Sequence, residues 1–220
     1  MAKVYISRFD PCKDKEPHIE CYDFDLYQGM SVLDVLNYIR EEVDSTLIYD
    51  HCCRNGHCGL CAVMVNKKAA LSCRRGAEDN MVIEPLRNFP VLRDLMFDRE
   101  YYEKRKPALR LFLERSTGDA KDPERIDMGL FEHFKEASRC IECYSCVAQC
   151  PVFEKNPYEF SGPAAFVLEA RHIFDCRDEL NRELIMKSGG IDKCIGCGLC
   201  SEVCDNGVDP ANIIKRCQAL

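Results

Sequence analysis

Apolar and polar residues alternate along residues 3–7 and again along 20–26, with β-branched and aromatic side chains at many of these places. A period of two predicts a pair of strands. Asp10-Pro11 and Glu16-Pro17 lie between them and predict a turn or long hairpin loop. After residue 31 the period changes. Val32, Leu33, Val35, Leu36 and Ile39 form a helical stripe, and Ser31 with Asp34 supplies a variant of the capping box at its start. Strand character returns at 62–65 and 81–84 and closes a small sheet. Beyond residue 90 the pattern is helical. Helices are predicted over 91–103, 129–138, 163–175 with proline in its first turn, and 179–187. A last helix runs from an Asp209 cap, with Pro210 at its first position, to about residue 220. The expected fold class is α+β, with a mixed domain over 1–105 followed by an all-α domain over 106–220.

Composition changes this picture in one respect. Hydrophobic content of 46% and charged content of 30% are ordinary for a globular chain, but 17 cysteines are not. Residues 1–6 lack the features of a secretory leader, and no window approaches the ~18 apolar residues of a membrane span. The expected setting is cytoplasmic, with any membrane association made through partners. Thiols there stay reduced, so dense cysteines point to metal rather than disulfides. A net charge of −7 argues against a nucleic-acid partner. The basic stretch Lys104-Arg105-Lys106, with Arg110 and Arg115, reads as a solvated face or linker.

The cysteines fall into two groups. Cys53-x4-Cys58-x2-Cys61, with eleven residues before Cys73, is the spacing of a plant-type [2Fe–2S] site. Four thiolates must converge on two irons, so the chain has to wrap tightly, and Asn55-Gly56 and Gly59 permit the backbone angles this needs. A four-cysteine zinc site favours shorter paired spacings. Cys52 does not give the x4 interval, and His51 and His57 read as loop residues.

The second group is Cys140-x2-Cys143-x2-Cys146-x3-Cys150-Pro151, repeated as Cys194-x2-Cys197-x2-Cys200-x3-Cys204. Each is a bacterial ferredoxin run, in which three cysteines wrap one cluster and the fourth crosses to the other. The expected ligands are Cys140, Cys143, Cys146 and Cys204 for the first [4Fe–4S] cluster. Cys194, Cys197, Cys200 and Cys150 hold the second. Gly196 and Gly198 allow close backbone approach to the second cluster; Glu142 and Tyr144 take the matching places in the first run.

Taken whole, the chain resembles the iron–sulfur subunits of succinate dehydrogenases and fumarate reductases. The residues that carry the likeness are Cys52-Cys53-Arg54-Asn55-Gly56-His57-Cys58-Gly59-Leu60-Cys61, Cys140-Ile141-Glu142-Cys143, Cys150-Pro151-Val152-Phe153, Asn156-Pro157, residues 160–165 and 200–204. The resemblance implies a β-grasp-like, plant-type ferredoxin domain followed by a helical bacterial-ferredoxin domain. It also implies a flavoprotein partner carrying FAD, which interconverts succinate and fumarate, and a membrane-anchor or cysteine-rich redox subunit. Two departures stand out. The family usually lacks a cysteine at the place of Cys197 and then holds [3Fe–4S], so Cys197 predicts [4Fe–4S] instead. Val152, Glu154 and Ile195 replace the family's quinone-pocket Ser, Trp and His. These changes favour a menaquinone-type, soluble or cysteine-rich donor and lean toward fumarate reduction in an anaerobe. Another flavoprotein, such as a hydroxy-acid dehydrogenase or enoate reductase, is the alternative partner. Cys12, Cys21, Cys52, Cys176 and Cys217 have no assigned role, and no set of catalytic side chains stands out.

Overall fold

A computed structural model describes residues 1–115 and 127–220. The chain forms two compact units. The first comprises Met1–Tyr102 together with Ile141–Gln149; the second comprises Glu103–Cys140 and Cys150–Leu220. A single cut near residue 105 therefore does not describe how contacts group the chain, because 141–149 cluster with the N-terminal residues.

In the first unit, β1 (Ala2–Arg8) pairs antiparallel with β2 (His18–Phe24) from Ala2 against Phe24 to Arg8 against His18. Helix α1 (Val32–Tyr38) follows, extended by a π-turn over Ile39–Val43. Its start is the full capping box: the Asp34 amide donates to Ser31 Oγ, and the Ser31 amide donates to the Asp34 carboxylate. Strands β3 (Ala62–Val65), β4 (Lys68–Leu71) and β5 (Met81–Glu84) complete a five-stranded sheet in the order β2-β1-β5-β3-β4. Only the β1–β5 pair is parallel. The buried face of α1, with Ile39 and Leu47, packs on Val4, Ile6, Val63, Val65, Met81 and Ile83 as one core. Strand β4 was not evident in the alternation, since its Lys-Ala-Ala-Leu sequence carries little β-branched character.

The helix expected over 91–103 does not form as such. Residues Val91–Arg93 and Met96–Phe97 are strands β6 and β7, and only Glu100–Glu103 (α2) is helical. The turn between β6 and β7 places Asp94 at φ 46°. Its buried carboxylate accepts from the amides of Phe9 and Ile48 and from Arg8 Nε. A buried carboxylate with three donors outweighs the helical propensity of its neighbours.

The second unit begins with α3 (Lys106–Leu109) and includes α4 (Met128–Ser138). Helix α5 (Ser145–Ala148) belongs to the first unit, where it packs against β4. The second unit continues with α6 (Pro151–Lys155), α7 (Pro163–Ile173), α8 (Arg182–Ser188), α9 (Leu199–Glu202) and α10 (Pro210–Gln218). Residues 163–170 of α7 are buried on all sides, and α10, α4 and α8 pack around them. An apolar helix buried all round is the expected centre of an all-helical unit. Asp127, Asn181 and Asp209 cap α4, α8 and α10 through their side chains. Among the described residues, no helix is long and apolar enough to cross a membrane.

Candidate iron–sulfur centres

The loop from Cys53 to Cys61 wraps as its glycines require: Arg54, Gly56 and Gly59 all have positive φ. Cys53 Sγ accepts from the His57 amide at 3.2 Å and the Cys58 amide at 3.3 Å. The Cys53 amide in turn lies 3.5 Å from Cys58 Sγ, and Cys61 Sγ lies 3.4 Å from Cys73 Sγ. Backbone amides, that of Asn55 foremost, pull the Cys53 thiol down to about 6. Burial, reinforced by Cys61 beside it, pushes Cys73 up to about 12. His51 stacks on Tyr49 at 5.3 Å and so reads as a packing residue, while His57 takes part through its backbone. Cys52 is exposed.

The two ferredoxin runs share one backbone design. Glu142 and Tyr144 have φ of 56° and 64°; their counterparts Gly196 and Gly198 have 66° and 80°. A short helix begins directly after each: α5 at Ser145 and α9 at Leu199. Left-handed residues in a loop are the usual way a backbone forms the concave amide nests that cradle anionic centres.

In the second unit, Cys150, Cys194, Cys197 and Cys200 line one pocket with Gly196, Gly198, Phe160 and Ile214. Burial drives Cys200 up to about 12, and the neighbouring Cys150, Cys194 and Cys197 add to the shift. Cys150 is raised in the same way, by burial and then by Cys197 and Cys194. Cys150 comes from the first run and the other three from the second. The flanks of Cys140 and Cys204 also meet in this unit: Asn206 donates to the Arg139 carbonyl, and Arg171 Nη2 donates to the Cys140 carbonyl at 2.7 Å. Cys143 and Cys146 are carried on the segment that belongs to the first unit. Buried thiols with raised proton affinity are poor free acids but good ligands once a cation compensates them. No three of the described His, Cys, Asp and Glu side chains close around a single-ion point, and a cluster of several irons is larger than such a point. The donor sets fit iron–sulfur clusters.

Spacing alone did not find the residues that brace the 141–149 segment. Arg99 Nη2 donates to the Glu142 carbonyl at 2.8 Å, and Asn88 Nδ2 donates to the Val147 and Ala148 carbonyls at 2.9 and 3.2 Å. The Ala69 amide donates to Gln149 Oε1 at 3.2 Å. Cys217 is buried on α10, its thiol pushed up to about 12 by burial.

Comparison with known proteins agrees with this geometry. Residues 3–104 match a 2Fe-2S iron-sulfur cluster binding domain, and residues 136–208 match a 4Fe-4S dicluster domain. The chain is 34% identical to the fumarate reductase iron-sulfur subunit of Haemophilus influenzae, with 98% of this chain and 91% of that one covered. It is 36% identical to one subunit of the fumarate reductase (CoM/CoB) of Methanothermobacter marburgensis, over all of this chain but only 44% of the relative. The chain thus spans less than half the length of that methanogen relative. Among solved structures, a chain of the Mycobacterium smegmatis Sdh1 complex matches with a TM-score of 0.84 at 23% identity, covering 99% of this chain and 94% of its own length; this likeness concerns the fold. The α+β architecture, the two ferredoxin-type domains and the near full-length relatives place the chain in the family of iron–sulfur subunits of fumarate reductases and succinate dehydrogenases.

Proposed function

We propose that the chain is the electron-transfer subunit of a fumarate reductase or succinate dehydrogenase complex. It relays electrons between a quinol or other donor and the FAD of a flavoprotein subunit. The observation that carries this reading is the match to a 2Fe-2S domain followed by a 4Fe-4S dicluster domain, over the same span as relatives named fumarate reductase iron-sulfur subunit. Cys53, Cys58, Cys61 and Cys73 hold the [2Fe–2S] cluster. Cys140, Cys143, Cys146 and Cys204 hold the first [4Fe–4S] cluster, and Cys150, Cys194, Cys197 and Cys200 the second. Bound clusters supply one-electron couples; the chain fixes their ligands, screens their sulfurs and excludes water from the buried thiols. Substrate chemistry is assigned to the flavoprotein. The setting is cytoplasmic, at the membrane through a partner anchor or cysteine-rich redox subunit.

Cys197 makes the second cluster a [4Fe–4S] centre in this reading. The lack of tryptophan and the relative named for CoM and CoB favour a donor other than ubiquinol. Iron and sulfide counts with EPR-monitored redox titration of the intact, anaerobically purified complex test the assignment. The expected result is three clusters, no oxidised-state [3Fe–4S] signal, and fumarate reduction by a co-purifying FAD subunit. A prominent [3Fe–4S] signal overturns the role of Cys197. A partner acting only on a hydroxy acid or another enoate transfers the module to that flavoprotein.

A further inference from the structure

The two ferredoxin runs adopt matching backbone turns, but only the second uses glycine to do so. Glu142 and Tyr144 sit in the left-handed region with full side chains, which costs roughly 1–2 kcal/mol at each. Something must hold them there. Tyr144 is 1% exposed and packs on Tyr102 and Phe89 at centroid distances of 4.8 and 5.8 Å. Arg99 lies over the Tyr144 ring at 4.8 Å and over Phe97 at 5.6 Å, and binds the Glu142 carbonyl. Its Nη1 is buried without a hydrogen-bond partner. The guanidinium therefore carries a permanent charge and an uncommitted donor into the residues that flank Cys143.

The geometry points to Arg99 as the positioning and potential-setting residue of the first [4Fe–4S] cluster. This rests on the ligand assignment proposed above. With both clusters bound, an electron passing from the [2Fe–2S] cluster to the first cubane would oxidise the one and reduce the other by one unit, adding a negative charge at the residues that would hold the cubane. A fixed cation on Glu142 and Tyr144, the residues either side of Cys143, would stabilise that added charge and raise the cubane's potential. Asp50, whose carboxyl burial raises, lies within electrostatic reach of Arg99 and opposes part of its charge. Asn88 braces the same segment through Val147 and Ala148 without contributing charge. Asn88 thus serves as a control that braces without charge, against Arg99, which does both.

The test uses the full chain with anaerobically loaded clusters, titrated with dithionite and mediators under EPR, and amide exchange of the same samples. The first cubane's signal is identified by its loss in Cys143→Ala. Arg99→Gln is expected to lower the potential of the first cubane more than those of the other two clusters. Arg99→Lys keeps the charge and should leave that potential near its original value. Amide exchange at 142–146 should then rise roughly tenfold as the charge-assisted hydrogen bond and ring stacking weaken. Asn88→Ala should speed exchange there and leave the potential unmoved. Equal lowering by Asn88→Ala and Arg99→Gln, or no shift with Arg99→Gln, overturns the inference. Where Arg99→Gln fails to load, Arg99→Lys decides: a lowered potential despite the retained charge overturns it. An unsubstituted chain that takes up only two clusters overturns the ligand assignment and the inference with it. Three clusters with unmoved potentials overturn the inference alone.

Discussion

Single side chains separate what holds the second unit together from what holds metal. Arg182 is buried on α8 and donates to the carbonyls of Leu109, Arg110 and Phe112 and to both oxygens of Asp178. Glu169 on α7 faces it at 3.6 Å, fully buried, with neither oxygen hydrogen-bonded. Burial pushes the Glu169 carboxyl from 4.5 up to about 7, against the pull of Arg182. The folded chain therefore keeps a proton that the unfolded chain has released. Stability falls as pH rises from about 4.5 to about 7, by on the order of 3 kcal/mol. Glu169→Gln should remove this slope, so that the variant gains on the parent chain as pH rises. Denaturant unfolding at pH 5 and pH 8 checks it; parallel curves for the two proteins would refute it. No sequence pattern announced this group, since a charged residue is ordinarily taken as the exposed position of a helix and Glu169 is not.

Among the elements, the two kinds of cluster domain were legible because each cysteine spacing is itself a geometric demand of a cluster. Most of the sheet and the capped helices were equally legible from period and caps. What escaped was set by distant partners. Residues 91–97 became a hairpin because Asp94 serves Phe9, Ile48 and Arg8, more than 40 residues away. Arg99 and Asn88 likewise act on carbonyls 43 to 60 residues downstream. One close approach tests the packing of the two loops within the first unit. Gly59 has φ 71°, and a Cβ there would stand 2.8 Å from the Ile141 carbonyl and 3.0 Å from Cys143 Cα. Gly59→Ala should cost at least ~1–2 kcal/mol of stability through backbone strain alone. It should also weaken the magnetic interaction between the [2Fe–2S] cluster and the first cubane in reduced-state EPR. An alanine variant with both properties unchanged would show that the loops do not meet there.

For the whole molecule, the question is how much of the fold survives without metal. The first unit has a continuous apolar core of sheet and α1 that leaves out Cys53, Cys58 and Cys61, with Cys73 packed against its edge. The second is centred on α7, whose buried residues are likewise not ligands. Stripping iron and sulfide should therefore leave amide protection in β1, β5, α1 and α7 largely intact. Exchange should rise in residues 50–61, 140–150 and 194–204, read by mass spectrometry of the stripped and loaded chain. Uniform loss of protection would mean that the clusters, not the apolar cores, organise the fold.

The placement of Ile141–Gln149 in the first unit bears on how the protein is made. A growing chain that has just released residue 102 from the ribosome still lacks Tyr144, the ring that fills the space beside Phe89 and Tyr102, and Gln149, the acceptor for the Ala69 amide. The N-terminal half must wait in the exit region for some forty further residues before its last pieces arrive. Its thiols Cys53, Cys58, Cys61 and Cys73 are therefore synthesised before the segment that completes their unit.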